Sequence, residues 1–95
     1  MPSFNLMRRI HVKISGKVQG VGFRYSIYAK ALFHGIKGWV KNLDDGKVEA
    51  VFEGKDDKIL KILEFCKKGP FLANVENFEV NEEEYKGEDK FKILR

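Results

Sequence analysis

A chain of 95 residues with 43% apolar residues has enough apolar side chains for one hydrophobic core and too few for two. Its formal charge of +4 at pH 7 favours anionic partners, from small phosphates to nucleic acid, without choosing among them. The single cysteine, Cys66, excludes an internal disulfide, and no segment has transmembrane length or the pattern of a secretory signal. We therefore expect a soluble, cytoplasmic and monomeric protein with no membrane partner.

The first two predicted elements are a strand and a helix separated by a glycine-rich segment. Apolar and polar side chains alternate in "RRIHVKIS" at residues 8–15, as is typical of a half-buried strand. After "GKVQGVGFR" at residues 16–24, helical spacing predicts a helix from about Phe23 to His34 that ends at Gly35. Its apolar stripe is expected to contain Phe23, Ile27, Tyr28, Ala31 and Leu32. Residues 1–7 are predicted to be a tail without function, so that a single domain covers residues 8–95.

A hairpin and a second helix follow. The β-rich runs "IKGWVKN" and "KVEAVFEG" flank "LDDG", in which Asp45-Gly46 is a strong signal for a hairpin turn. The second helix has Asp56 or Asp57 as its predicted N-cap, and Gly69-Pro70 ends it. Its predicted apolar stripe consists of Ile59, Leu60, Ile62, Leu63 and Cys66.

The last part of the chain completes a known pattern of elements. "ANVENFEV" predicts a strand, "FKILR" a short edge strand, and the polar "NEEEYKGEDK" between them a loop. The resulting β-α-β-β-α-β order is that of ferredoxin-like α+β folds, with an antiparallel sheet of four or five strands and two helices on one face. The first and second strands should then run the same way, with the third between them. Two inter-strand steps of about 4.8 Å each separate the first strand from the second. We therefore expect the loop after the first strand to lie close to Asn42, where the second strand ends.

The glycine-rich segment is typical of an anion cradle. A loop that turns a strand into a helix presents successive backbone N–H groups to one point, and the helix N-terminus adds its own free donors. Neither the Walker motif nor the dinucleotide fingerprint fits, because Gly22 is followed by Phe23-Arg24 and Tyr25 stands where a third glycine is needed. Arg24 opposes the helix macrodipole unless an anion binds between the guanidinium and the N–H groups. A solvated surface arginine is the alternative.

Two segments, "GKVQGVGFR" and "GWVKNLDDGKVEA" at residues 38–50, resemble the paired signatures of the acylphosphatase family, small enzymes that hydrolyse carboxyl-phosphate anhydrides. The resemblance extends from Arg8 through "KKGP" to the terminal strand. It implies a small acyl phosphate as substrate and inorganic phosphate as product or inhibitor. We expect no cofactor, and no metal because the sequence has no ligand cluster and Arg24 supplies positive charge. The resemblance also implies that Asn42 orients the attacking water, although Asn is also common before turns. The residues that the resemblance assigns to phosphate binding are Gln19, Gly20, Val21, Gly22, Phe23 and Arg24.

The remaining reactive side chains are assigned structural places. His11 falls on the polar side of the first strand, and His34 falls at a helix C-terminus, where a cation is favourable. Two separated histidines do not make a metal site. Cys66 is expected to pack as a small hydrophobe, and the acidic run at residues 82–84 to lie in a solvated loop or edge.

Two other functions compete with hydrolysis. RNA-recognition domains share the element order, but "KVEAVFEG" has glutamates and valines where their stacking aromatics stand, so we expect no nucleic-acid partner. A module that binds phosphate without catalysis is the second alternative. Domains similar to acylphosphatases also occur within larger carbamoyl-transfer maturation proteins. The presence of both Arg24 and Asn42 favours the enzyme.

Overall fold

Two helices pack on one face of a five-stranded sheet in the computed structural model, which describes residues 6–95. The elements in chain order are β1 (Met7–Lys17), α1 (Phe23–His34), β2 (Lys37–Asn42), β3 (Val48–Lys55), α2 (Asp56–Lys68), β4 (Asn74–Glu83) and β5 (Phe91–Ile93). The strand order across the sheet is β4-β1-β3-β2-β5. This arrangement confirms the ferredoxin-like α+β fold. Neither described helix has the length and hydropathy that crossing a membrane requires.

The pairing of the strands brings the ends of β1 and β2 to the same edge. β3 is antiparallel to both, with Ile14 opposite Val48 and Val48 opposite Asn42, so β1 and β2 run the same way as predicted. The expectation of a purely antiparallel sheet is wrong for β5, which pairs parallel with β2. β4 is antiparallel to β1 and ends at the edge of the sheet where β2 begins. The segment after β4 crosses this end of the sheet and reaches β2 where β2 begins. The strand that it forms there, β5, therefore runs in the same direction as β2.

The core lies between the sheet and the helices. Ile10, Val12 and Ile14 of β1 are buried on the side that faces the helices. Phe23, Ile27 and Ala31 of α1 and Ile59, Ile62 and Cys66 of α2 are buried against it. Two predicted stripe members are corrected, because Leu32 is 56% exposed and Leu60 is 53% exposed. Each follows a fully buried residue by one position, which turns it by about 100° around the helix axis.

Three predicted boundaries change in the structure. β1 begins at Met7, which pairs with Lys55, so the strand includes the last residue of the predicted tail; residues 1–5 of that tail lie outside the described part. β4 extends to Glu83 and takes up part of the predicted loop. The predicted N-cap of α2 is also wrong, since Lys55 occupies that position without a side-chain cap and the Asp56 carboxylate is hydrogen-bonded to Arg8.

A buried ion pair anchors the loop between β4 and β5. Glu53 of β3 is fully buried, and its carboxylate lies 3.1 Å from the guanidinium of Arg9, which is 5% exposed. Three backbone N–H groups of the loop donate to the same carboxylate, those of Lys86, Gly87 and Glu88. Arg9 also donates to the carboxylates of Glu83 and Glu88. This cluster lies at the end of the sheet opposite Asn42.

Candidate active site

The loop between β1 and α1 owes its shape to two glycines in the left-handed region. Gly20 has φ 74° and Gly22 has φ 79°, values that residues with a Cβ rarely adopt. A Cβ at either position would meet nothing within 4 Å. The backbone conformation, rather than a lack of space, therefore explains both glycines. Their conformation turns the chain so that α1 begins immediately at Phe23.

The N-terminus of α1 has no side-chain cap. Gly22 is the N-cap residue, and the first turn contains no acidic residue. The first N–H groups of a helix have no partner inside the helix, so here they stay available to a ligand. Arg24 lies in this turn and is half-buried. No carboxylate of residues 6–95 forms an ion pair with it.

A cavity of about 130 Å³ joins this turn to the end of β2. It is large enough for a phosphate-sized group, since one water occupies about 30 Å³ in the liquid. Of the predicted site residues, the cavity brings together Gly20, Gly22, Phe23, Arg24 and Asn42. Val18 and Tyr25 complete its lining. These last two residues are not among the predicted site residues, although both adjoin predicted members.

Asn42 contributes a polar atom without a partner. It is the last residue of β2, and its Oδ1 atom is buried and accepts no hydrogen bond from the described residues. Buried side-chain oxygens are normally hydrogen-bonded, because leaving one unpaired costs about 1 to 3 kcal/mol. Asn42 also lines the cavity, and its amide oxygen has hydrogen-bonding capacity that the described residues leave unused.

Gln19 and Val21 do not line the cavity with the other predicted residues. The side chain of Val21 packs against the hydrophobic core. The Gln19 carboxamide donates to the carbonyl oxygens of Leu43 and Lys47, at 2.8 and 2.9 Å, in the hairpin between β2 and β3. No feature of the local sequence indicated these partners, which lie more than 20 residues further along the chain.

The other titratable candidates lie away from the cavity. His11 Nε2 lies 2.6 Å from the carboxylate of Glu49 on neighbouring strands. Burial raises the pKa of the Cys66 thiol, as expected of an inert packing residue. Within residues 6–95, no group of three or more His, Cys, Asp or Glu residues could hold a metal ion. Arg24 is consequently the cation that the cavity offers to an anion.

Comparison with known proteins identifies the family. The acylphosphatase family model matches residues 10–93. The chain belongs to the acylphosphatase family. Among its relatives is an acylphosphatase of Pyrobaculum aerophilum, 58% identical over 90 residues that make up 93% of this chain and 95% of the relative. The acylphosphatase of Syntrophus aciditrophicus is 48% identical over 90 residues, 94% of each chain.

Solved acylphosphatase structures share the fold. The structure of an acylphosphatase from Coxiella burnetii superimposes with a TM-score of 0.89 at 41% identity and covers 93% of both chains. These acylphosphatase relatives confirm the enzyme class that the two sequence segments predicted.

Proposed function

We propose that this acylphosphatase hydrolyses the carboxyl-phosphate bond of small acyl phosphates to a carboxylate and inorganic phosphate. In this proposal the phosphoryl group is held by loop N–H groups and Arg24, and Asn42 orients the attacking water. The observation that carries the proposal is the cavity that the uncapped N-terminus of α1, Arg24 and Asn42 line together, with the Oδ1 atom of Asn42 unpaired.

The phosphoryl group resolves the electrostatic conflict at the start of α1. The macrodipole and Arg24 place positive charge in the same turn, which costs a few tenths to about 1 kcal/mol when no anion is present. A bound phosphoryl group is attracted by both. As the bond to the carboxylate breaks, these donors stabilise the charge on the phosphoryl oxygens, and no protein group has to move.

The attacking water is held by Asn42. A water that donates one hydrogen to Oδ1 of Asn42 keeps its lone pairs available for the phosphorus atom. Apart from Arg24 and Tyr25, the lining of the cavity has no titratable side chain. In this scheme the proton released by the water passes to an oxygen of the substrate phosphate, since no histidine or carboxylate lines the cavity as a base.

The leaving group needs no acid catalyst. Carboxylic acids have a pKa near ~4 to 5, so the carboxylate leaves as an anion at neutral pH without taking up a proton. This chemistry agrees with a cavity lined by no histidine, aspartate or glutamate. The positive charge that favours bond breaking comes from Arg24, and hydrolysis is expected to proceed in the presence of a chelator.

Two substitutions test the division of labour, with benzoyl phosphate as substrate and a chelator in every assay. Arg24→Ala removes a contact present before and during the reaction, so it should weaken phosphate binding and nearly abolish turnover. Asn42→Ala should leave phosphate affinity nearly intact and lower kcat about 100-fold or more, the scale for one oriented polar group. Steady-state kinetics and calorimetry with inorganic phosphate measure both effects.

Lys61→Ala is the matched control, because Lys61 is an exposed cation on α2. It should retain wild-type kinetics and phosphate affinity. The proposal fails if Asn42→Ala keeps the wild-type kcat, or if it loses phosphate affinity as severely as Arg24→Ala. Phosphate binding by the wild-type protein without turnover would instead support the phosphate-binding module.

A further inference from the structure

The carboxamide of Gln19 connects the cavity loop to the hairpin between β2 and β3. Its Nε2 atom donates to the carbonyl oxygen of Leu43 at 2.8 Å and to that of Lys47 at 2.9 Å. The same two residues close the hairpin, because the Leu43 N–H donates to the Lys47 carbonyl at 2.8 Å. Both hydrogens of the carboxamide are therefore used on the base of one turn.

The position of these bonds in the chain matters for the cavity. Gln19 directly precedes Gly20, and Leu43 directly follows Asn42. The sheet itself does not pair the two segments, because β3 lies between β1 and β2. Among residues 6–95, no other side-chain hydrogen bond joins the loop of residues 18–22 to the hairpin of residues 42–48. Gln19 is thus the polar link between the two halves of the cavity.

We propose that Gln19 is a positioning residue that holds the phosphate-binding loop at a set distance from the Asn42 amide. The proposal rests on the proposed function, in which the water on Asn42 attacks a phosphorus atom held by the loop. A displacement of about 1 Å between reacting groups can cost about 100-fold in rate. Gln19 acts through the hairpin that carries Asn42 and does not touch the substrate itself.

The chemistry of the link requires a neutral double donor of this length. Two carbonyl oxygens accept from one NH₂ group, which only glutamine and asparagine side chains can supply without a charge. An ionised glutamate is acceptor-only and would face two carbonyl oxygens. Leucine has a similar size and no donor. These differences make Gln19→Glu and Gln19→Leu informative substitutions.

The first measurement separates kcat from phosphate affinity. Gln19→Leu should lower kcat on benzoyl phosphate by about 10-fold to 100-fold, the range for a small misplacement of reacting groups. The affinity for inorganic phosphate should change by less than about threefold, since Arg24 and the loop N–H groups remain. Gln19→Glu should lose more kcat at pH 7. A fall in phosphate affinity in proportion to kcat would indicate direct phosphate contact and overturn the proposal.

The second measurement is a double-mutant cycle with Asn42→Ala. If Gln19 acts by placing Asn42, its loss should change kcat by less than about twofold once the Asn42 amide is absent. Independent effects that multiply in the double variant would overturn the positioning role. Wild-type kcat in Asn42→Ala alone would contradict the proposed function instead, which keeps the two failures distinguishable.

Asp45→Ala is the matched control for general loosening of the hairpin. The Asp45 carboxylate accepts a hydrogen bond from the Lys47 N–H at 3.1 Å within the same turn and makes no hydrogen bond to the loop. This variant should keep the wild-type kcat. An equal loss of kcat in Asp45→Ala and Gln19→Leu would overturn the specific role of Gln19. Gln19→Asn, which retains the donor group on a shorter side chain, should lose part of kcat and covers the case in which Gln19→Leu does not fold.

Discussion

His34 is a residue whose surroundings in the fold disfavour the charge that its place at a helix C-terminus would favour. A protonated histidine is favourable at a helix C-terminus, and His34 is the last residue of α1. Its Nδ1 atom is buried without a hydrogen-bond partner in the described residues, and its ring contacts that of Phe33. Burial, together with the charges of Lys58, Lys61 and Lys30, lowers the pKa of His34, and the charge of Asp57 opposes this only in part.

This shift predicts how stability depends on pH. Because the pKa of His34 is lower in the folded chain than in the unfolded chain, the unfolded chain binds more protons as the pH falls below about 6.5. The free energy of unfolding should therefore decrease between pH 7 and pH 5, and less steeply in His34→Gln. Urea unfolding of both proteins at the two pH values measures the difference. An NMR titration that gave His34 a normal or raised pKa would contradict the explanation.

At the scale of elements, the buried pair Arg9–Glu53 joins three parts of the fold. Burial of Glu53 alone would raise its pKa, but the N–H groups of the β4–β5 loop and the Arg9 guanidinium outweigh burial and lower that pKa. Glu53→Ala should destabilise the fold by about 3 kcal/mol, because it leaves the buried guanidinium and three N–H groups without this partner. Urea unfolding measures the change.

Glu82→Ala provides the contrasting control for Glu53→Ala. Glu82 binds Arg8 on the exposed side of β4, where water screens the pair. Glu82→Ala should therefore lower the free energy of unfolding much less than Glu53→Ala does. The contribution of Glu53 is present above the pKa of an unfolded glutamate, near ~4.3, and is lost as the pH falls through the lower folded pKa. The difference between wild type and Glu53→Ala should shrink accordingly in acid. Equal costs for the two substitutions would show that burial of the pair has no energetic role.

At the scale of the whole molecule, the proposed site connects the β1–α1 loop to the end of β2. A ligand that binds only the folded chain stabilises all of it by mass action. Inorganic phosphate at ten times its Kd should add about 1.4 kcal/mol, which raises the Tm of a domain this size by roughly 6 to 11 °C. A thermal melt with and without phosphate measures the shift. Arg24→Ala should show little of it at the same concentration, and equal protection of both proteins would place phosphate elsewhere.

The sequence by itself determined the features that depend on neighbouring residues. Alternation in residues 8–15 predicted β1, helical spacing predicted α1 from Phe23 to His34, and Asp45-Gly46 marked the hairpin. The two signature segments identified the family, because an unusual combination of glycines, Arg24 and Asn42 is itself a local pattern. Local periodicity and turn chemistry are written in adjacent residues, so no knowledge of the packing was needed to read them.

Only the tertiary structure decided the contacts between distant segments. β5 pairs parallel with β2 because β4 ends at the end of the sheet where β2 begins. Glu53 is buried because the loop between β4 and β5 passes over its carboxylate and donates hydrogen bonds to it. The partners of the Gln19 carboxamide lie 24 and 28 residues away, and they come within reach because β3 sets the spacing of β1 and β2. A polar side chain has many possible partners in a sequence, and the geometry of the assembled sheet selects among them.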